Sequence, residues 1–378
     1  MRIAVIANTA WYLSNFRLNL MRALSEAGHE IVAVAPGDQY VQRIRDAGFR
    51  FMPVPISGSG TNPLVEAGVI LRLWRLFRRA KIDLVLCYTP KGNIYSALAA
   101  IPSGIPFIPN ISGLGRSFIR RSALTHVVQA LYRLTLKRAV RVFFQNGDDL
   151  ATFIAHGLVT PNDSERLPGS GVDLARFVPT SGGHDDAPIF LLVARMLWDK
   201  GVGEFVEAAQ TVRARYPRTR FQLLGFVDVA NPSAVSRQQV QTWVDSGLIE
   251  YLGSTDDVRP FMQEADCVVL PSYREGLPRT LLEAAAMARP VITADVPGCR
   301  DTLIDGQTGF LCKVRDGRDL AETMLRFLAL PAERRGEMGK AGRAYVEANF
   351  GEQRVLQRYL DLVARIDHDR RATKRGNC

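Results

Sequence analysis

Cysteine and histidine are scarce in this sequence, and neither is spaced for chemistry. Five cysteines occur in 378 residues, Cys87, Cys267, Cys299, Cys312 and Cys378, with no Cys-x-x-Cys pair among them. An odd number without a framework excludes a disulfide scaffold and a zinc ribbon, and it predicts reduced thiols in a cytoplasmic protein. The five histidines, His29, His126, His156, His184 and His368, show no metal-ligand spacing. No apolar run reaches the roughly 18–20 residues that cross a bilayer. The best candidate, residues 64–77, is interrupted by Arg72 and Arg75, and Arg78 follows directly. Met1-Arg2 leads into Ile3-Ala-Val-Ile-Ala7, which is too short for a signal-peptide core and reads as a first strand. The dinucleotide fingerprint Gly-x-Gly-x-x-Gly is missing too, because neither Gly113-Leu-Gly115 nor Gly201-Val-Gly203 is completed by a third glycine. That argues against a Rossmann dehydrogenase.

What is present is the composition of a folded chain of two domains. Hydrophobic residues make up 47% and charged residues 23%, which excludes disorder, and 378 residues exceed one ordinary core. The net charge of +10 is confined to one half: 21 Lys and Arg stand against 11 Asp and Glu up to Arg176, and 27 against 27 afterwards. A basic half beside a neutral half implies that one domain meets something anionic. Nucleic acid is the non-enzyme alternative. Against it, the basic residues are not interleaved with an RNA-binding aromatic signature, and no helix-turn-helix or finger motif occurs.

Short apolar strands alternate with longer helical patterns, the signature of parallel sheets with helices on their faces. Strands are predicted over residues 3–8, 31–35, 51–54, 84–88, 107–110 and 142–145, with a helix over 16–27. The pattern restarts with strands over 189–194, 220–225, 249–252, 267–270, 291–293 and 309–312. Helices are predicted over 203–215, 235–246, 257–264, 279–287 and 319–328. A Pro-, Ser-, Gly- and Asp-rich stretch between the halves reads as a linker. The expected organisation is therefore an α/β domain over 1–178, a linker over 179–187 and a second α/β domain over 188–352. A helix over 353–371 must bury its apolar stripe and is assigned to the first domain.

The densest chemical signal is Pro271-Ser-Tyr-Arg-Glu-Gly-Leu-Pro-Arg-Thr-Leu-Leu-Glu283, between a strand and a helix that continues Ala284-Ala-Ala-Met-Ala. A loop in this position lies beyond the carboxyl end of a parallel strand, where open α/β sheets bind ligands, and the helix points its first amides there. Gly276 permits close backbone approach, Pro278 sets the helix entry without removing a needed hydrogen bond, and the N–H groups of about Leu277 to Leu281, that of Arg279 among them, suit a diphosphate. Glu275 and Glu283 are poor phosphate ligands but good acceptors for sugar hydroxyls. Amides for phosphates and carboxylates for sugar rings suit a nucleotide sugar.

These residues resemble the Glu-seven-residues-Glu motif of the retaining family-4 glycosyltransferases. That resemblance implies the GT-B fold, two Rossmann-like domains facing across a cleft. Residues 191–201, Leu-Leu-Val-Ala-Arg-Met-Leu-Trp-Asp-Lys-Gly, resemble the family's segment whose Arg and Lys, here Arg195 and Lys200, hold the donor diphosphate. Residues 167–177, Leu-Pro-Gly-Ser-Gly-Val-Asp-Leu-Ala-Arg-Phe, and the segments 295–300 and 305–311 extend the match over essentially the whole chain. By resemblance, Glu275 contacts the transferred sugar, Glu283 the ribose, and transfer proceeds with retention, the leaving diphosphate helping to deprotonate the incoming hydroxyl. Catalysis is expected to need no cofactor and no metal, since the one Asp-x-Asp, Asp367-His-Asp369, lies in a charged tail. Residues 8–15 lack the double glycine that many members carry.

Residues 88–95, 110–115 and 143–149 resemble the branch acting on undecaprenyl-diphosphate-linked sugars in bacterial surface-glycan or glycoprotein assembly, which includes N-acetylgalactosaminyltransferases. The expected function is transfer of a hexose or N-acetylhexosamine from a UDP sugar to a polyprenyl-diphosphate-linked saccharide. Lys91 and Asn93 are the acceptor-site candidates. Two basic and apolar segments of the first domain, residues 64–79 with Trp74 and Phe77, and residues 113–121, fit an anionic membrane surface. That places the protein in the cytoplasm, peripheral to the inner face of the cytoplasmic membrane. A sugar-nucleotide epimerase or an inverting transferase of the same fold is the rival enzyme.

Overall fold

The computed structural model describes residues 1–58, 62–114, 123–179 and 187–376. The chain divides into two units, Met1–Ser170 with Gln353–Cys378, and Gly171–Glu352.

In the first unit, strands β1 (Arg2–Ile6), β2 (Glu30–Ala35), β3 (Arg50–Pro53), β4 (Leu84–Tyr88), β5 (Phe107–Ile111), β6 (Val142–Phe144) and β7 (Ser164–Arg166) form one parallel sheet. Its order is β3-β2-β1-β4-β5-β6-β7, so the chain changes direction between β1 and β4. Register is set by pairs such as Ile3 with Ile31 and Ile3 with Leu84. Alternate residues serve opposite faces. Ala4, Ile6, Val85 and Cys87 meet helices α4 (Pro63–Arg79), α5 (Pro90–Ala100), α6 (Ala123–Leu136) and α7 (Gly147–Ala155). Ile3, Val5, Leu84 and Leu86 meet α1 (Ala10–Phe16), α2 (Leu18–Glu26) and α3 (Val41–Asp46). With both faces covered, the buried stretches of the central strands β1, β2 and β4 are apolar throughout rather than alternating.

The helix predicted over 16–27 is α2, Leu18–Glu26, and a separate helix, α1, precedes it over Ala10–Phe16. Between them stands Arg17, which is buried with its guanidinium 4.1 Å from the Tyr88 ring centroid. Short β7 carries no apolar signal and was not anticipated.

In the second unit, β8 (Ile189–Val193), β9 (Arg220–Leu224), β10 (Glu250–Tyr251), β11 (Cys267–Leu270), β12 (Val291–Ala294) and β13 (Gly309–Cys312) form a parallel sheet in the order β10-β9-β8-β11-β12-β13. Phe190, Leu192, Phe221 and Val269 pack with α8 (Val202–Arg215), α9 (Arg237–Asp245) and α12 (Gly317–Leu328). Leu191, Val193, Val268 and Leu270 pack with α10 (Arg259–Glu264), α11 (Arg279–Ala286) and α13 (Ala332–Phe350). Helix α13 was not predicted, because several of its buried positions are glycines, Gly339 and Gly342, rather than large apolar residues.

Residues 171–178, assigned to the first domain from sequence, pack within the second unit. The Val172 amide donates to Phe350 O and the Glu352 amide donates to Val172 O, while Arg343 donates to Phe177 O. Most of the expected linker, residues 180–186, lies outside the described residues. Helix α14 (Glu352–Gly376) returns to the first unit, where Val355, Tyr359, Val363 and Ile366 are buried in the core shared with β1 and β4. Arg358 fixes it with two hydrogen bonds of 2.6 Å to Glu165.

Candidate active site

The second unit gathers its functional candidates on loops that follow β8, β11 and β12. After β8 the chain runs to a single turn, Trp198–Lys200, that ends at Gly201 in the left-handed region with φ +74°. A Cβ at Gly201 would lie 2.3 Å from Pro271 O, so glycine is what lets this turn reach the loop after β11. There the Tyr273 amide donates to Asp199 O at 3.0 Å. A second contact comes from Gly298, φ +80°, where a Cβ would lie 2.5 Å from the carbonyl oxygens of both Glu275 and Gly276. The Glu275 amide donates to Pro297 O at 3.3 Å. Backbone from two other loops therefore holds the 271–276 loop from both ends.

The consequence is that Lys200 Nζ contacts Glu275 Oε1 directly, with the two side chains 21% and 14% exposed. A cation and a carboxylate are thus fixed together at the carboxyl edge of the sheet. Arg195 follows the same strand, and its side chain is exposed. Arg195 is not brought into the pair.

Next along the chain, α11 begins at Arg279 with Pro278 as N-cap and no side-chain capping bond. First-turn amides of a helix have no acceptor within it, and the helix dipole favours anions there. Arg279 Nε lies 2.8 Å from Glu283 Oε1, one turn on, and both side chains are 14% exposed. Burial pushes the Glu283 carboxyl above its ordinary range, while Arg279 and then Arg176 pull it back. Gly276, Leu277 and Pro278 are buried and form the bend between Glu275 and this helix.

Sequence reasoning missed the residues that brace the loop. The Tyr273 hydroxyl donates to Glu204 Oε1 on α8 at 2.7 Å, and the Arg315 guanidinium sits 4.5 Å from the Tyr273 ring centroid. Burial, then the bond to Glu204, holds the tyrosine proton well above its ordinary range. Tyr273 lay inside the quoted motif. Glu204, 69 positions away, had no local signal.

In the first unit, Lys91 is paired with Glu66 of α4. Asn93 is 2% exposed, and its amide donates to Asn110 O at 3.0 Å, tying α5 to β5. Its side chain is buried at this contact between α5 and β5. Phe77 is fully buried and Trp74 packs against the same core, so the apolar side of α4 is mainly a core face. Leu64, Val65 and Leu71 remain exposed beside Arg72 and Arg75. Of the second basic segment, residues 115–121 lie outside the described residues. Among the described residues no three His, Cys, Asp or Glu side chains group as a metal site, and no helix is long and apolar enough to cross a membrane.

Comparison with known proteins agrees with this two-part arrangement. Residues 14–169 match the family described as glycosyl transferase 4-like domain, and residues 187–329 match glycosyl transferases group 1. The chain is 28% identical, over 97% of its length and 99% of the relative's, to the N,N'-diacetylbacillosaminyl-diphospho-undecaprenol alpha-1,3-N-acetylgalactosaminyltransferase of Campylobacter jejuni. It is 24% identical, over 74% of its length and 75% of the relative's, to the UDP-Gal:alpha-D-GlcNAc-diphosphoundecaprenol alpha-1,3-galactosyltransferase of Escherichia coli. Among solved structures, Anabaena Alr3699/HepE in complex with UDP-glucose superposes with a TM-score of 0.79 at 15% identity, covering 96% of this chain and 99% of that one.

Proposed function

We infer the reaction from family membership: the chain belongs to the GT-B glycosyltransferases, a 4-like domain followed by a group 1 domain, and it is a transferase. The substrate pair we propose is a UDP-linked hexose or N-acetylhexosamine as donor and a polyprenyl-diphosphate-linked saccharide as acceptor, in bacterial glycan assembly. The names of the two relatives support this pair. The single observation that carries the donor side is the contact between Lys200 and Glu275 next to an uncapped helix start.

In this reading Lys200, the exposed Arg195 and the first-turn amides of α11 take the diphosphate. Their positive charge stabilises the leaving group as the sugar–phosphate bond breaks. Glu275 accepts hydroxyl protons of the transferred sugar, and Glu283, held by Arg279, accepts those of the ribose. Two cations and a helix terminus supply the neutralisation that a divalent cation would otherwise supply, so the proposed reaction proceeds without metal. Transfer is proposed to retain the anomeric configuration, the departing diphosphate oxygen taking the proton of the attacking hydroxyl.

Membrane access is proposed through α4. Leu64, 85% exposed, and Val65 and Leu71 give it an apolar edge, and Arg72 and Arg75 supply positive charge for anionic headgroups. That reading would put the enzyme at the cytoplasmic face of the membrane that holds its acceptor.

Proton NMR of the reaction product tests the proposal. An α-linked product from an α-linked donor supports it. An inverted product, or free donor epimerised without transfer, would instead favour the rival enzymes of this fold.

A further inference from the structure

Thr89 is the most strained residue at the carboxyl edge of the first unit's sheet. It follows β4 with φ +67° and ψ +152°, a combination that is essentially restricted to glycine. Its position is the point where the strand order changes direction, between β1 and β4, and open α/β sheets bind ligands at such points. The strain is not offset by a cap, because the Thr89 side chain makes no capping bond to α5. Only 9% of Thr89 is exposed, and its Oγ1 has no hydrogen-bond partner among the described residues. The hydroxyl lies over the first turn of α5, where a Cβ on Gly92 would come within 3.0 Å of it.

Through Lys91 in the first turn of α5, Glu66 of α4 brings a second polar group with unused capacity. Lys91 Nζ contacts Glu66 Oε1, and the Lys91 ammonium lies 5.8 Å from the Tyr95 ring centroid. Burial, then the neighbouring Glu66 carboxylate, pushes the Tyr95 hydroxyl above its ordinary range. The Lys91 ammonium thus holds one oxygen of the carboxylate, while Oε2 is buried without a partner among the described residues. A buried polar atom left in that state is destabilising, and a bound hydrogen-bond donor would recover the loss.

We propose that Glu66 Oε2 and Thr89 Oγ1 form a subsite for a neutral sugar ring of the acceptor, with Lys91 as the group that orients the carboxylate. Charge decides between the parts of a lipid-linked saccharide. Lys91 is neutralised by Glu66, so a diphosphate here would have to displace an ion pair and approach a carboxylate. A sugar hydroxyl or N-acetyl N–H donates to Glu66 without breaking anything. The subsite rests on the acceptor reading above and adds a residue, Glu66, with no role in the donor site.

Steady-state kinetics of Glu66→Gln and Thr89→Gly test it. The donors are UDP-glucose, UDP-galactose and their N-acetyl forms, and the acceptor is a short-chain prenyl-diphosphate N-acetylhexosamine. Gln keeps the shape of Glu, and Gly accepts the Thr89 backbone without strain, so thermal stability should hold for the first and hold or rise for the second. Each variant is expected to raise acceptor KM about 10-fold or more, with donor KM and acceptor-independent donor hydrolysis unchanged. A change in donor KM alone would give the pair to the donor sugar and overturn the proposal. Unchanged acceptor KM in both folded variants would overturn it while leaving the transferase reading intact. No transfer by the wild type with any donor would overturn both.

Discussion

Lys200 and Glu275 are in direct contact although 75 positions separate them in the chain. The pairing depends on Gly201 beneath the loop and Gly298 beside it. Charge complementarity alone would not place two surface residues so reproducibly, since an exposed ion pair contributes little. Here backbone sterics set the loops and the side chains follow. Lys200→Ala should therefore lower kcat by about 100-fold or more, through loss of charge at the leaving group, while the thermal midpoint stays within a few degrees. Comparing kcat with a melting curve checks both halves.

Gly298→Ala is expected to act on the loop rather than on chemistry directly. The new methyl group would meet two carbonyl oxygens at 2.5 Å from a backbone already at φ +80°. A loss of about 1–3 kcal/mol of stability in urea unfolding, together with weaker nucleotide-sugar binding by calorimetry, is the expected outcome.

Tyr273→Phe removes a hydroxyl whose partner, Glu204 Oε1, is 2.7 Å away, and leaves part of that carboxylate unpaired. Turnover should fall about 5- to 20-fold, in line with a loss of about 1–2 kcal/mol for one hydrogen bond to a charged group. Glu204→Gln in the same background should add little, because the two act on one bond.

The carboxyl of Glu283 is raised by burial, and this fixes the sign of a pH effect. The folded state then holds the proton more tightly than the unfolded chain does. Stability from this group is fully present below the ordinary glutamate range and is lost as pH rises through the raised value. Relative to Glu283→Gln, the wild type should become less stable as pH rises above the ordinary glutamate range. Urea unfolding of both proteins across that rise checks it; a gap that widens in favour of the wild type contradicts it.

Leu64 and Val65 offer a separate test of the membrane reading. Replacing both by Glu should abolish cosedimentation with phosphatidylglycerol vesicles without lowering the melting temperature, since neither side chain is in the core. Binding that persists would remove α4 from the membrane surface.

Much of this was legible in sequence because the informative residues are close together. Pro271 to Glu283 carries strand end, turn, helix start and both carboxylates within one unit of structure. Strand positions were readable for the same reason: buried parallel strands such as residues 84–88 are continuous apolar runs. What escaped was long-range or small. Arg17 reads as an ordinary helix residue and is in fact a buried cation against Tyr88. Glu66 meets Lys91 across 25 positions, and neither spacing nor composition announces it. The bond from the Asn93 side chain to Asn110 O, which ties α5 to β5, is likewise not legible in the spacing.

The most direct test of the central claim is transfer of radiolabelled sugar from a panel of UDP sugars to a short-chain polyprenyl-diphosphate saccharide. The account predicts label in the lipid-linked product with the wild type, and almost none with Lys200→Ala. Label from no donor into the lipid-linked acceptor, or equal label with Lys200→Ala, would contradict it.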